Sequence, residues 1–286
     1  MSNKEALHTH YAAAIQRCLD AWSQLDDGDW AAKDPKGPWT ARDYLAHLVT
    51  SQQTEGNPVT AASLSGKTLE LPGLGRPQDI DAFNARNLEA VRDLGSKELM
   101  QRLRELVDEH LSMLAPLSEA DLERPATNPG LHWPITVQVT FEMYYLHLPL
   151  HYQNIRRCLR RRRQLAHWMD LAGDEETRDA MDRTFRMMPA FYWAERGRGL
   201  RARFLFTLTG KGGGQWTLEI DDSRCSSHAG PPEHADVEVR ATPALYLDMQ
   251  TGDMNPVSSF LSGGFRVRPL TKLGLANRLE KLFAIT

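Results

Sequence analysis

Cysteine is scarce in this chain, because only Cys18, Cys158 and Cys225 occur among its 286 residues. The three lie far apart, and no two of them form a Cys-x-x-Cys pair. This spacing gives no sign of a disulfide framework. A reducing cytoplasm is the simplest location that it predicts.

Long apolar runs and a strong charge excess are also missing. No apolar stretch reaches the roughly 18 residues that a membrane span requires. The N-terminal residues 1–5 (MSNKE) lack the apolar segment of a secretion signal. The net charge of −3 and the pI of about 6.4 give no general reason to expect nucleic acid or an anionic membrane as partner. We therefore expect neither nucleic-acid binding nor membrane insertion.

The first part of the chain has the apolar spacing of amphipathic helices. Such spacing predicts helices over residues 4–25, from Thr40 onward, over 79–117 with a break near Gly95, and over 135–168. Gly- and Pro-rich loops separate them at 56–78, where one short helix is also expected, and at 124–134. Four long helices with connections of mixed length predict a bundle, a fold whose core often hosts metal sites.

The pattern changes after residue 173. One helix over 174–191 precedes segments with the alternating character of strands, at 203–209, 216–220, 224–227, 237–241 and 265–268. Short helices are expected at 243–250, 256–261 and 270–283. We therefore predict two domains, an all-α domain over 1–170 and an α+β domain with an antiparallel-rich sheet over 171–286.

Three histidines are the candidate metal ligands. His147 and His151 stand four residues apart, so on a helix both rings project from the same face. His47 from another helix would complete a three-ligand site with an open position, which is typical of catalytic metals. Pro149 disfavours a regular helix between the pair, so we expect a kink there or a new helix that begins near His147. A histidine packed at the edge of a core is the competing interpretation of His47.

Residues 39–48 (WTARDYLAHL) resemble the W-(S/T)-x-x-(D/E)-x-(L/V)-x-H-L signature of the DinB-like superfamily, which includes the N-terminal domain of mycothiol-dependent maleylpyruvate isomerases. Residues 81–84 (DAFN) and the pair His147 and His151, followed by Ile155, are similar to its later motifs. The resemblance covers about residues 5–168 and implies a four-helix bundle with a divalent ion at His47, His147 and His151. Pro149 departs from the pattern.

Residues 235–239 (ADVEV), 251–253 (TGD) and 260–267 (FLSGGFRV) resemble the closing half of sterol-carrier-protein type-2 domains. Over residues 174–286 this resemblance implies a sheet packed on helices around an apolar tunnel. Phe204, Phe206, Trp216, Leu245 and Phe260 could line that tunnel or form an ordinary core. Maleylpyruvate isomerases are similar in domain order, since a related α+β domain follows their bundle.

The two resemblances together imply a metal-dependent enzyme, a small-thiol-dependent isomerase or transferase. Zinc or nickel is the expected ion for three imidazoles, and mycothiol or another small thiol the expected co-substrate. The expected substrate is a small molecule with an apolar part, held by the second domain. The alternatives are a lipid- or acyl-binding protein with the bundle as scaffold, and a metal-binding stress protein without turnover.

Other features are assigned to structure rather than chemistry. The arginine-rich residues 156–163 sit at a helix end, where cations complement the helix dipole, and lack the interleaved aromatics of a nucleic-acid site. Glu142 and His132 are secondary candidates near the metal ligands. The excess of arginine, 26 against 8 lysines, favours a bacterial source. The sequence leaves a homodimer open.

Overall fold

The structure is a computed structural model that describes residues 1–74, 79–129, 131, 134–254 and 256–283. Two compact units make up the chain, residues 1–171 and 172–286. No described helix combines the length and the apolar composition of a membrane-spanning segment. The predicted candidate His132 lies outside the described residues.

The first unit is helical. Its described helices are α1 (Asn3–Trp22), α2 (Asp27–Trp30), α3 (Ala41–Ser51), α4 (Asn57–Leu64), α5 (Ile80–Ala90), α6 (Ser96–Leu114), α7 (Glu119–Leu122), α8 (Val137–Leu159) and α9 (Trp168–Leu171). The strands β1 (Pro125–Ala126) and β2 (Ile135–Thr136) form a small antiparallel pair before α8. The break predicted near Gly95 is confirmed, because α5 ends at Ala90 and α6 begins at Ser96.

Local sequence fixes where the helices begin. Ser2 and Thr40 each cap a helix, and the third residue of that helix, Glu5 or Asp43, bonds back to the capping residue. These capping boxes satisfy amide groups that a helix start leaves unpaired, and the carboxylates also complement the positive helix end. The predicted role of Thr40 as a cap is therefore confirmed.

The longer helices share one apolar core. Helix α1 packs against α6 and α8, and α3 packs against the same two helices. Their inward faces carry the buried side chains Leu7, Tyr11, Ile15, Cys18, Trp22, Leu45, Val49, Leu99, Leu103, Val107, Leu114, Phe141, Tyr145, Ile155 and Leu159. Burying such a set supplies the main free energy that holds the unit together.

Helix α8 runs without interruption through Pro149. The alternative that a new helix begins near His147 is therefore wrong. Pro149 removes one backbone donor, but α8 lies against α1, α3 and α4 along its length, and this packing outweighs the local penalty. The predicted end at residue 168 is also wrong, because α8 ends at Leu159 and α9 is a separate short helix.

A π-helix, Gln52–Gly56, joins α3 to α4, so the chain is helical from Ala41 to Leu64. The short helix expected within residues 56–78 is α4, and the π-helix makes it continuous with α3. A Cβ on the buried Gly56 would lie 2.8 Å from the Tyr144 ring and 3.0 Å from the Gln52 amide. Only glycine lets Tyr144 pack this closely against the π-helix.

Replacing Gly56 with alanine should lower the free energy of unfolding by about 1–3 kcal/mol, because the added methyl group overpacks the contact with Tyr144. Gly274 is the matched control, since it is exposed on a helix and a Cβ there meets nothing within 4 Å. Gly274→Ala should leave stability unchanged or raise it slightly. Urea unfolding of both variants tests this, and equal midpoints would contradict it.

His110 occupies a buried polar position in the first unit. Its Nε2 lies 2.9 Å from Thr60 Oγ1, its Nδ1 lies 3.4 Å from the Tyr11 hydroxyl, and its ring stacks on Phe141. Burial lowers the pKa of His110 to about 3. The native state therefore holds this ring neutral at pH values where an unfolded chain protonates it.

The unfolding free energy of the metal-free protein should consequently fall as pH drops below about 6.5, the pKa of an unfolded histidine. Between about pH 7.5 and 5 the contribution of His110 is about 2 kcal/mol, since one proton is worth about 1.4 kcal/mol per pH unit. His110→Gln keeps the hydrogen-bonding capacity but does not titrate. We expect it to lose correspondingly less stability over that interval in urea unfolding. An identical loss in both proteins would refute the assignment.

The second unit contains a five-stranded sheet. Its strands are β3 (Arg201–Leu208), β4 (Gly214–Asp221), β5 (Arg224–Ala229), β6 (Val237–Ala241) and β7 (Arg266–Arg268), in the order β5-β4-β3-β6-β7. All neighbouring strands are antiparallel except β3 and β6, which are parallel. The predicted antiparallel character thus holds for three of the four pairings.

The described helices of this unit are α10 (Asp174–Met187), α11 (Ala194–Gly197), α12 (Pro243–Gln250), α13 (Pro256–Leu261) and α14 (Leu273–Leu279), with 3-10 turns at Met188–Phe191, Leu270–Lys272 and Glu280–Leu282. Phe185 of α10 stacks on Trp216 and Tyr246, and Phe204 and Phe206 are buried beside them. Phe260 is 37% exposed, so it does not belong to a closed core, and its place in a tunnel wall stays a prediction.

Candidate metal centre

The three predicted ligands meet between two helices. His47 projects from α3, and His147 and His151 project from α8, which packs against α3. His147 Nε2 lies 3.2 Å from His47 Nε2 and 2.7 Å from His151 Nε2. One ligand atom from each of the three residues falls within 4.8 Å of the other two. The continuous course of α8 stacks His147 and His151 one turn apart, despite Pro149.

The environment keeps the three rings neutral. Burial lowers the pKa of His147 to about 4. Burial also lowers the pKa values of His47 and His151 well below the ordinary range. Protonation of one ring would disfavour protonation of the next, and the Arg157 charge lowers the pKa of His151 further. A neutral imidazole has a lone pair on one nitrogen, the form in which histidine binds a metal.

The nitrogen geometry fits a small divalent ion. Ligand atoms about 2.0–2.1 Å from a tetrahedral metal lie about 3.3 Å from one another. The separation between His47 and His147 matches that value, and the separation between His147 and His151 is shorter. Without an ion, both separations are hydrogen bonds between ring nitrogens, in which the donor depends on the tautomer of each ring. Three neutral imidazole nitrogens therefore suit a divalent cation that accepts nitrogen ligands.

Polar side chains contact the outer nitrogens of two of these rings. Ser51 Oγ, one helical turn further along α3, lies 3.4 Å from both His47 Nδ1 and His47 Nε2. The Asn154 side-chain amide lies 3.1 Å from His151 Nδ1. As placed, the buried Asn154 Oδ1 has no hydrogen-bond partner among the described residues. Of the two contacts, that of Asn154 involves one nitrogen only, so it selects which nitrogen of His151 carries the proton and how that ring is turned.

Aromatic side chains enclose the cluster. The rings of Trp39 and Tyr44 lie 5.0 Å from His47 and 5.5 Å from His151, respectively, and the Tyr144 ring lies 6.1 Å from His147. Trp39 and Tyr44 also contact each other edge to face. These rings limit access of water on their side of the histidines and lower the local dielectric constant.

A buried ion pair supports this aromatic wall. Arg157 Nε donates to Asp34 Oδ1 over 2.8 Å, a second guanidinium nitrogen contacts Oδ2, and the Tyr44 hydroxyl donates to Oδ2 over 2.5 Å. Burial alone would raise the pKa of Asp34, but the Arg157 and Tyr44 hydrogen bonds lower it overall. The pair therefore stays ionised and holds Tyr44 against His151.

The arginine-rich residues 156–163 are thus more than a solvated helix end. Arg157 is 5% exposed, and Arg162 and Arg163 form ion pairs with the buried Asp29. These contacts tie the end of α8 to the segment between α1 and α3. The prediction that nucleic acid is not a partner stays a prediction.

Glu55 is a further acidic group on this side of the unit. It lies in the π-helix, eight residues after His47, and its carboxylate accepts from Asn128 Nδ2 over 2.9 Å and from the Tyr144 hydroxyl. Burial raises the pKa of Glu55, and these two hydrogen bonds offset part of the rise. Tyr144 contacts both Glu55 and His147, so it joins the carboxyl group to the cluster.

Sequence reasoning missed Glu55, Asn154 and the pair of Asp34 with Arg157. The helical period beyond His47 and Ser51 could have pointed to Glu55, and the three-residue spacing from His151 could have pointed to Asn154. No spacing rule joins Asp34 to Arg157, because 123 positions separate them. The secondary candidate Glu142 is fully buried on α8, where it accepts from Gln138 over 2.6 Å.

Comparison with known families agrees with this architecture. Residues 10–155 match the family model of the DinB superfamily, so the chain belongs to that superfamily. Residues 194–283 match the SCP-2 sterol transfer family. The resemblances stated from the sequence are therefore confirmed.

Two solved structures share the fold over most of the chain. The mycothiol-dependent maleylpyruvate isomerase has a TM-score of 0.59, with 12% identity over 94% of this chain and 93% of that one. A histidine-to-alanine mutant of that isomerase has a TM-score of 0.58, with the same identity and coverage. At this level of identity the similarity shows a common fold.

Curated relatives match a shorter part of the chain. Hydroxysteroid dehydrogenase-like protein 2 from Rattus norvegicus and from Homo sapiens are each 30% identical to it over 104 residues. This stretch is 36% of the present chain, but 20% of the rat protein and 24% of the human protein. The chain thus spans a quarter or less of the length of these relatives.

Proposed function

We propose that this protein is a metal-dependent enzyme of the maleylpyruvate isomerase type, in which His47, His147 and His151 hold one divalent ion, zinc or nickel. The helical domain, residues 1–170, is then a DinB-type four-helix bundle, and residues 171–286 form a sterol-carrier-like domain that binds an apolar part of the substrate. The observation that carries the proposal is the convergence of three neutral imidazoles from two helices. The cytoplasmic location and bacterial source belong to the same proposal.

The ion, when bound, would supply a Lewis acid that lowers the pKa of a coordinated thiol or water and polarises a carbonyl group. The chain itself supplies the remaining functions. Asn154 and Ser51 orient the histidine rings, and Trp39, Tyr44 and Tyr144 restrict water on one side. The hydrogen-bonded pair of Glu55 and Tyr144 is the group we assign to holding a proton for a bound substrate.

The reaction class is thiol-dependent isomerisation or transfer, with mycothiol or another small thiol as co-substrate. The test is isomerisation of maleylpyruvate by the chelator-treated protein and by the protein reloaded with zinc or nickel, each with and without mycothiol. We expect turnover only when both metal and thiol are present. Equal rates without metal, or no turnover with mycothiol, glutathione or cysteine, would contradict the proposal.

The SCP-2 match favours a second candidate function, that of a lipid- or acyl-binding protein with the helical domain as scaffold. Native mass spectrometry of gently purified protein separates the two. A bound fatty acid without metal supports the binding protein. Bound metal without lipid supports the enzyme, and bound metal without any turnover supports a non-catalytic metal-binding stress protein. The same spectra report whether the chain forms a homodimer.

Asn154 offers a test of how the ligands are oriented. If its amide is turned so that Oδ1 accepts the Nδ1 proton of His151, then His151 Nε2 keeps its lone pair for the ion, and the buried oxygen gains a partner. Asn154→Asp supplies the same acceptor, whereas Asn154→Leu removes it. We expect Asn154→Leu to weaken metal affinity by about 10- to 100-fold and Asn154→Asp to retain it. Competition with a chromophoric chelator measures both, and equal affinities for the two variants would count against this role.

A further inference from the structure

The second unit contains an open cleft of about 400 Å³, lined by Arg196, Arg278, Lys281 and Leu282. The three cationic residues are exposed and Leu282 is buried. All four lie outside the candidate metal centre and belong to residues 172–286. The surface of the cleft is thus mainly apolar, and three of the four residues that line it carry a positive charge at the end of the side chain.

Backbone and ring contacts hold this recess together. The Arg196 guanidinium group lies 3.7 Å from the centre of the Trp193 ring, and its Nη1 donates to the Lys281 carbonyl over 3.1 Å. The Trp193 amide donates to the Leu282 carbonyl over 2.8 Å. The segment that precedes β3 is thus fixed to the C-terminal 3-10 turn, and Arg196 is held beside Lys281.

The three cationic side chains of the cleft differ from other arginines of this unit in their carboxylate partners. Sheet arginines pair with nearby carboxylates, since Arg201 contacts Asp221 and Arg203 contacts Glu219. Among the described side chains, no carboxylate forms an ion pair with Arg196, Arg278 or Lys281.

One described acidic residue on this side of the unit, Asp222, is bound to backbone. Asp222 lies close enough to Tyr192 to raise the pKa of its hydroxyl group, an effect that Arg278 opposes. However, Asp222 Oδ1 accepts from the Gly199 amide over 2.6 Å. This carboxylate therefore holds the turn before β3, and the three cations remain together at the cleft.

Three like charges around one recess repel one another, and an anion bound between them relieves that repulsion. Arginine matches carboxylate and phosphate oxygens in particular, because its planar group donates two parallel hydrogen bonds. We propose that this cleft binds the carboxylate or phosphate group of a small molecule. The inference uses residues of the second unit alone, so it does not depend on the proposed metal-dependent function.

The test is isothermal titration calorimetry of the full chain with three probes, namely inorganic phosphate, octyl phosphate and octanoate. The variant Arg278→Gln/Lys281→Gln removes two charges from the cleft while leaving Arg196 on Trp193. The control Arg198→Gln/Arg224→Gln removes two exposed charges of the same unit outside the cleft. Circular dichroism and thermal unfolding check that each variant is folded.

We expect saturable binding to the unaltered protein, at least about tenfold weaker binding to the cleft variant, and less than about a twofold change in the control. Similar affinities for inorganic phosphate and octyl phosphate identify a free anion as the natural occupant. Binding of the octyl compounds alone identifies the head group of an amphipathic molecule. Either result supports the cleft as an anion site. No saturable binding of any probe, or equal binding by the cleft variant, overturns it.

Discussion

Replacing Asp34 with asparagine should lower the free energy of unfolding by about 3–5 kcal/mol, because the substitution leaves the Arg157 charge buried without its partner. Arg157 is 5% exposed and the Asp34 side chain is 0% exposed, so water cannot replace the lost carboxylate. The change also leaves one acceptor oxygen where Arg157 and the Tyr44 hydroxyl share two, and places an NH2 donor against one of them. Urea unfolding followed by far-ultraviolet circular dichroism measures the effect.

Two further variants separate the ion pair from general disruption. Asp34→Asn/Arg157→Met removes both charges and should be less destabilised than the sum of the two single variants. Glu89→Gln is a surface control, because Glu89 and Arg92 form an ion pair whose side chains are about two-thirds exposed. That control should change stability by less than about 1 kcal/mol. Additive single effects, or a loss for Asp34→Asn as small as for Glu89→Gln, would refute the role of the pair.

Addition of zinc or nickel to the metal-free protein should raise its thermal unfolding midpoint. A free ion at 100 times its Kd stabilises a folded protein by about 2.7 kcal/mol when the unfolded chain does not bind it. Alanine at position 47, 147 or 151 leaves only two imidazole ligands. Loss of a hydrogen-bond partner of a ligating histidine lowers metal affinity by about 10- to 100-fold, and loss of a ligand itself should lower it more. The metal-induced shift should then disappear at the same ion concentration.

His228→Ala is the matched control for this series, since it removes an exposed imidazole from β5 in the other unit. It should retain the full metal-induced shift. A shift that persists in the His47→Ala variant, or that disappears in the His228→Ala variant, would place the ion elsewhere. Thermal unfolding with and without metal, for all four variants under one buffer, provides the comparison.

Much of the architecture was predictable because local signals agreed with the tertiary structure. Thr40 and Asp43 mark the start of α3, and the apolar spacing of α1 gives its buried face. In the second unit the predicted helix at 243–250 matches Pro243–Gln250. The convergence of His47 on His147 and His151 followed from the family resemblance, and the geometry now places those rings together.

Other features depended on contacts that sequence patterns do not contain. The π-helix at Gln52–Gly56 arises where Gly56 lets Tyr144 pack closely. The spacing of apolar residues in the sequence does not reveal such a wider helical turn. Pro149 lies inside α8 because the packing of neighbouring helices outweighs its local penalty. Arg157 looked like one charge of a solvated run, since its partner Asp34 is distant in sequence. The parallel pairing of β3 with β6 likewise depends on the connection between them.

The central claim is that three imidazoles hold one divalent ion, and elemental analysis of the purified chain tests it most directly. The measurement compares the unaltered protein with the variant His47→Ala/His147→Ala/His151→Ala after identical incubation with zinc and removal of free ion. The account predicts one ion per chain in the former and none in the latter. Absence of metal from the unaltered protein, or equal metal content in the two, would contradict it.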